Sequence, residues 1–242
     1  MCELLAVAWE RAEPFRTILP WAAGLERLGV AGFGWGVAWL EDEEGRVRGY
    51  RNTASLAEDS DGAAALGDVR SSRFLVHLRR PSRLSTVQLA DTQPFLDERH
   101  NCAFCHNGLF ARAEDLRGRY ADRLHGRADS EVGFCFLQDL LDEGVRPADA
   151  LPRTLQDLAG SGNLGYLGAD GTLLMMAGHP ANNVWRFRAD GSATVAATAL
   201  HSADESVFDL LFTDAADRRK LPPGEVAVVG GPGPETRVRA AS

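Results

Sequence analysis

The sequence of 242 residues predicts an α+β fold, a sandwich in which helices pack on stacked, mostly antiparallel sheets. Three features predict it. Short apolar or alternating runs bounded by Gly, Asp and Asn recur along the chain, as strands joined by tight turns require. Helical spacing is confined to a few segments, of which residues 129–143 are the clearest. The strand-like runs also gather toward both ends, whereas a doubly wound parallel sheet would alternate strand and helix regularly. With 45% hydrophobic and 25% charged residues, the chain can build a sizeable core, and residues 1–242 are read as a single domain.

Residues 2–9 form an apolar run without a helical stripe, and residues 33–40 are aromatic, branched and punctuated by glycine, so both read as buried strands. A short helix is expected between them over residues 20–28. The polar stretch 41–45 ends in glycine, so the run that follows to Tyr50 should close a hairpin on the second strand. Residues 73–78 and 102–106 read as further strands, the first preceded by a small-residue stretch (59–66) and the second by a Pro-Phe loop. In the segment 129–143, Val132, Phe136, Leu137, Leu140 and Leu141 recur at helical intervals, with Asp129 and Ser130 offering N-cap chemistry and Gly144 a stop. A second helix is expected over 148–158, and residues 164–167, 172–177, 184–187, 193–200 and 225–229 read as strands.

The net charge of −8 and the scattered basic residues argue against nucleic acid or anionic lipid as a partner. No apolar run reaches the roughly 20 residues of a membrane span, and the start carries an acidic residue where a secretion signal carries basic ones. A cytoplasmic location is therefore expected. Four cysteines, at positions 2, 102, 105 and 135, are too few for a disulfide scaffold of this length.

Cys2 follows the initiator Met1, and removal of Met1 would leave it with a free α-amine. Such an amine has a pKa of about 7.7 to 8.0, so one residue can supply both nucleophile and base. The alternative is an ordinary buried cysteine at the head of a strand. Three distant segments supply what a glutamine side chain would need around that thiol. Arg79 can make a bidentate pair with a carboxylate, and Ser82 can add a hydroxyl donor. His106-Asn107-Gly108 sets a side-chain amide beside a flexible backbone N–H, a pairing suited to an oxyanion hole. Asp129 at the head of the predicted helix can receive an ammonium. Each segment also has a plain reading, as an exposed arginine, an Asn-Gly turn and a helix cap.

Taken in order, the blocks Met1-Cys2-Glu3-Leu4-Leu5, Gly34-Trp35-Gly36, His77-Leu78-Arg79, Thr92-Gln93-Pro94-Phe95, His106-Asn107-Gly108 and Asp129-Ser130-Glu131 resemble the class II glutamine amidotransferases, in particular their small stand-alone members. The resemblance implies a four-layer αββα sandwich of the N-terminal-nucleophile hydrolase type. It implies Cys2 as nucleophile, Asn107 and Gly108 as oxyanion hole, and Arg79 with Asp129 holding the charged ends of glutamine. No cofactor and no metal are implied. Two positions depart from the family pattern: Ala128 stands where a threonine is usual, and Gln93 where many relatives have histidine. The lost hydroxyl leaves open whether glutamine or a γ-glutamyl conjugate is the substrate, and the chain also resembles the amidohydrolases of ergothioneine synthesis.

A different class of function is offered by Cys102-Ala103-Phe104-Cys105-His106, which fits the C-x-x-C-H pattern of c-type haem attachment. A redox pair or half of a zinc site are further readings of the same cysteines, though no second Cys or His pair stands at zinc-finger spacing. His125, His179 and His201 are scattered and are assigned no metal. A third possibility is a binding module that keeps the fold without turnover. The strands after the second helix are needed to complete the sandwich, so any ammonia acceptor is expected to be a separate synthase.

Overall fold

The structure is a computed structural model that describes residues 2–198 and 206–231, apart from the Val207 side chain. In chain order its strands are β1 (Glu3–Pro14), β2 (Trp35–Glu41), β3 (Arg46–Asn52), β4 (Arg70–Leu78), β5 (Phe95–Asp97), β6 (Cys102–Phe110), β7 (Gly160–Gly168), β8 (Leu173–Met176), β9 (Val184–Ala189), β10 (Ala193–Thr198), β11 (Ala216–Lys220) and β12 (Val226–Gly230). The helices are α1 (Leu19–Gly29), α2 (Ser60–Leu66), α3 (Ala113–Arg117), α4 (Asp129–Asp142), α5 (Pro147–Asp157) and α6 (Ser206–Leu211). The strands form a seven-stranded sheet, ordered β11-β9-β10-β1-β4-β2-β3, and a five-stranded sheet, ordered β12-β8-β7-β6-β5. Every neighbouring pair is antiparallel.

Alternation of side chains along each strand sorts the core into three layers. Leu5, Val7 and Trp9 of β1 and Phe74, Val76 and Leu78 of β4 face outward, where Ala22 and Leu25 of α1 cover them. The opposite face of the same strands, Leu4, Ala6, Ala8 and Leu75, meets Ala103 and Cys105 of β6 and Leu173 and Met175 of β8 between the sheets. Phe104 and Leu164 point the other way, against Val132 and Leu137 of α4 and Leu151 of α5. The order is thus helix, sheet, sheet, helix, the expected αββα sandwich.

The predicted strands and hairpin form close to the predicted bounds, and the 41–45 turn closes with the Gly45 N–H on the Glu41 carbonyl at 2.9 Å. Residues 199–200 of the predicted strand 193–200, and His201, lie outside the described residues. Other expectations need correction. The small-residue stretch 59–66 contains the helix α2, capped by Asp59, which accepts the Gly62 N–H at 3.3 Å while binding Trp35 Nε1 and the Tyr50 hydroxyl. The Pro-Phe loop includes a short edge strand, β5, paired with β6. Neither Asp129 nor Ser130 is the N-cap of α4. Ala128 holds that position without a side-chain bond, and Asp129 opens the helix itself. The stop at Gly144 is as expected, with φ +80 and its N–H on the Leu141 carbonyl.

Two imidazoles are buried in this frame. His77 shares the inward face of β4 with Leu75, and His106 on β6 faces α4, stacked on Phe110 with ring centroids 4.0 Å apart. Burial lowers the pKa of each to about 3, helped for His77 by the Arg79 charge and for His106 by His179. In the unfolded chain a histidine binds its proton near 6.5, so on acidification the unfolded state takes up protons first. The stabilisation is fully present above about 6.5 and is lost as pH falls toward 3, on the order of 2 kcal/mol per imidazole by pH 5. Urea unfolding at pH 7 and pH 5 should register this loss, and replacing His77 by Asn should shrink it. An unchanged midpoint between the two pH values would contradict neutral burial.

Candidate active site

Cys2, Arg79, Ser82, Asn107, Gly108 and Asp129 all line one cleft of about 250 Å³. Strand pairing explains most of this convergence. Glu3 lies opposite Leu78 in the β1–β4 ladder, which puts Cys2 beside the residues that follow β4. Asn107 comes from the other sheet, and its Oδ1 accepts a hydrogen bond from the Cys2 nitrogen at 3.0 Å.

The Cys2 thiol is partly buried and receives the Arg80 N–H at 3.3 Å. Burial pushes its pKa up, against the pull of that N–H and of the Arg79 charge. Such a thiol rests protonated near neutrality and needs a base at the moment of attack. The carbonyl of Cys2 also accepts from Asn182 Nδ2 at 3.4 Å, while the Asn182 carbonyl accepts from Asn163 Nδ2 at 2.7 Å.

Asn107 is fully buried, and its Nδ2 has no hydrogen-bond partner among the described residues. Leaving a buried donor unpaired costs about 1 to 3 kcal/mol, so an idle amide in a cleft calls for an occupant. Gly108 is required by close approach of β7. A Cβ there would lie 2.1 Å from the Ser161 carbonyl oxygen.

Arg79 is buried, and neutral acceptors hold its guanidinium: Thr86 Oγ1 at 2.9 Å, Thr92 Oγ1 at 3.3 Å and the carbonyls of Thr86 and Gln88. Among the described residues no carboxylate lies within ion-pair distance of it, and Asp91 acts on it only from farther away. Asp129 accepts the Phe110 N–H on Oδ2 at 2.7 Å, and burial raises its pKa against that bond. Ser82 sits exposed on the cleft, with no hydrogen bond among the described residues.

The loop before α4 is secured by residues that sequence reasoning missed. Asp91 Oδ1 accepts the N–H groups of Arg127 and Ala128, each at 2.7 Å, and Glu131 accepts those of His125 and Gly126. Arg117 donates to the carbonyls of Arg127 and Ala128. The loop is therefore fixed through its backbone, without a hydroxyl at position 128. Gln93 also lines the cleft and clamps the His106 backbone, accepting its N–H at 2.6 Å and donating to its carbonyl at 3.2 Å. The sequence signals for Asp91 and Thr86 amount to polar residues in a loop, too common a pattern to single out, and Thr92, though it opens one of the ordered blocks, carried no expected role.

The haem reading fails on strand geometry. Cys102 and Cys105 are three residues apart on β6 and so lie on opposite faces, one against α4 and one between the sheets. Both side chains are buried and so neither is presented to a porphyrin, and the same burial raises the Cys102 thiol to about 12 and the Cys105 thiol as well. No three His, Cys, Asp or Glu side chains converge as a metal site would require among the described residues. None of the described helices is long and apolar enough to cross a membrane.

Comparison with known proteins bears on the fold and the family. The fold is similar to that of the glutamine phosphoribosylpyrophosphate amidotransferase from B. subtilis complexed with ADP and GMP (TM-score 0.71, 16% identity). It is similar also to a structure described as the allosteric regulatory enzyme of purine biosynthesis (TM-score 0.69, 16% identity). Each match covers 95% of this chain but 47% of the other, so the chain spans about half the length of those two proteins. A glutamine aminotransferase class-II domain protein from Silicibacter pomeroyi matches over 95% of both chains (TM-score 0.63, 19% identity). Among curated protein sequences none matches. The family described as glutamine amidotransferases class-II matches residues 1–215, and the chain belongs to that family.

Proposed function

We propose that the protein hydrolyses the side-chain amide of glutamine through a γ-glutamyl thioester on Cys2, after removal of Met1. The observation that carries this reading is the double role open to Asn107. Its Oδ1 accepts from the Cys2 nitrogen while its buried Nδ2 is idle, in a cleft that also holds an unneutralised Arg79 and the Asp129 carboxyl. Membership of the family makes glutamine amide hydrolysis or transfer the general chemistry of the chain.

In this mechanism the α-amine of Cys2 takes the thiol proton, and the thiolate attacks the δ-carbonyl carbon. The carbonyl electrons move onto oxygen, and the oxyanion is received by Asn107 Nδ2–H and the Gly108 N–H. The proton held by the amine passes to the leaving nitrogen, the C–N bond breaks, and ammonia departs. Water then attacks the thioester through a second tetrahedral intermediate, and glutamate and the free thiol are released. Arg79 binds the α-carboxylate with help from Ser82, and Asp129 binds the α-ammonium. A separate synthase is proposed as the ammonia acceptor.

One observation favours a second substrate class. Ala128 brings no hydroxyl to the glutamine loop, while Arg80, Arg83 and Glu114 line the cleft and offer partners to a polar leaving group larger than ammonia. A γ-glutamyl conjugate that is simply hydrolysed would use the same thioester chemistry.

Cys2→Ala should abolish glutamate release while leaving the circular dichroism spectrum and melting temperature near those of the parent, and full activity in that variant would sink the mechanism. Asn107→Ala should lower kcat on the order of 100 to 1,000-fold with little change in KM, because an oxyanion donor acts in the transition state. Glutamate release from glutamine and from γ-glutamyl thiol conjugates, compared in the parent and in Ala128→Thr, separates the two substrate classes. If glutamine is the substrate, the restored hydroxyl lowers its KM. Preference for the conjugate in both proteins would favour the second reading.

A further inference from the structure

A second cavity, of about 500 Å³, opens between the 89–96 segment and α4, outside the cleft that holds Cys2. Part of its wall is apolar. Phe95 and Phe134 stack there with ring centroids 5.6 Å apart, and Leu89 and Leu96 stand at its edge, 52% and 38% exposed.

The rest of the wall carries charge. Arg51 of β3 is half-buried and donates Nη1 to the Thr92 carbonyl at 2.9 Å, but among the described residues no carboxylate lies within ion-pair distance of it. The acid that acts on it is Glu131, and both Glu131 oxygens already accept backbone N–H groups. Arg123, the other arginine here, is committed to Asp139 at 2.6 Å. Arg51 therefore brings to a partly apolar cavity a cation with guanidinium donors still unfilled.

We propose that this cavity binds a small carboxylate with an aromatic or branched apolar body, its carboxylate paired with Arg51 and its body lying on Phe95, Phe134, Leu89 and Leu96. An apolar wall beside a few placed polar groups is the usual form of a small-molecule site, and of the charged groups here Arg51 has the uncommitted guanidinium fork that suits a carboxylate. The site shares a wall with the cleft. Thr92 accepts Arg51 on its carbonyl and Arg79 on its hydroxyl, at 2.9 and 3.3 Å, so a ligand that draws on Arg51 acts on the residue that steadies Arg79. Occupancy is thereby coupled to the grip on the glutamine carboxylate. That coupling rests on the proposed role of Arg79, whereas binding itself does not.

The test uses the full chain with phenylacetate as probe and its neutral isostere phenylacetamide as control, followed by calorimetry with Cys2 free and with Cys2 blocked by a covalent glutamine analogue. Phenylacetate should bind once per chain in both forms, and phenylacetamide at least about tenfold more weakly, the discrimination expected of a charge-assisted pair. Two variants locate the site: Ala90→Phe, which fills the cavity, and Arg51→Gln, which removes the charge. Each should weaken phenylacetate binding by about tenfold or more. Absence of saturable binding, equal binding of phenylacetamide, loss of binding when Cys2 is blocked, or full binding in both variants would overturn the proposal. A glutamine KM that does not respond to saturating phenylacetate would overturn the coupling. Failure of the Cys2 mechanism would be seen separately, in glutamate release without probe.

Discussion

The hydrogen bond from the Cys2 nitrogen to Asn107 Oδ1 joins the head of a strand in one sheet to a strand in the other, and the rest of the site is arranged around it. It depends on how close the two sheets come. Between them the core is built largely from small side chains, among them Ala6, Ala8, Ala38, Ala103, Cys105 and Ala196. Larger residues at these positions would hold the sheets apart and lengthen the bond, and the packing term and the chemistry are thus set by the same residues. Gly108 adds a second limit, since any side chain there would collide with β7 and displace the strand that carries Asn107.

Around this contact the polar groups divide into those that hold backbone and those left idle. Asp91, Glu131, Arg117 and Gln93 spend their hydrogen bonds on the loops and on β6. Thr86 and Thr92 hold Arg79 without neutralising it, and Asn107 Nδ2 has no partner among the described residues. A guanidinium steadied only by neutral oxygens and an amide donor left unpaired are costly in a folded protein, and under the proposed mechanism both would cost less with a carboxylate and an oxyanion bound. Burial that raises the Cys2 thiol pKa is compatible with the proposed mechanism, in which the thiolate need exist only while a substrate carbonyl is at hand.

Much of the fold was legible because alternation and helical stripes are direct consequences of which face is buried. The runs at 2–9, 33–40 and 73–78 alternate between the outer and inner cores, and α4 has its stripe against β6. What escaped lacks such a pattern. α2 reads Ser-Asp-Gly-Ala-Ala-Ala-Leu, with no apolar stripe, and is fixed by Asp59 through Trp35 and Tyr50. β11 is exposed along its whole length and so shows no alternation. α4 starts at residue 129 as the spacing predicts, but the cap differs: Asp129 looks like a cap, whereas its carboxylate reaches across to the Phe110 N–H. For the site, the ordered blocks pointed to five residues, and the hydroxyl following Arg79 to a sixth, Ser82, and all six line one cleft. Asp91, Asn163 and Asn182 were invisible, since a side chain whose partner is a distant backbone amide leaves no trace in local spacing.

Under the proposed mechanism Cys2 becomes the first residue of the mature chain and carries the acyl group. The most direct measurement is mass spectrometry of the N-terminal peptide after the protein has been mixed with substrate and quenched in acid. The expected peptide begins at Cys2, with a fraction heavier by one γ-glutamyl group that disappears on treatment with hydroxylamine. A protein that turns over substrate while retaining Met1, or that carries the adduct on another residue, would contradict it.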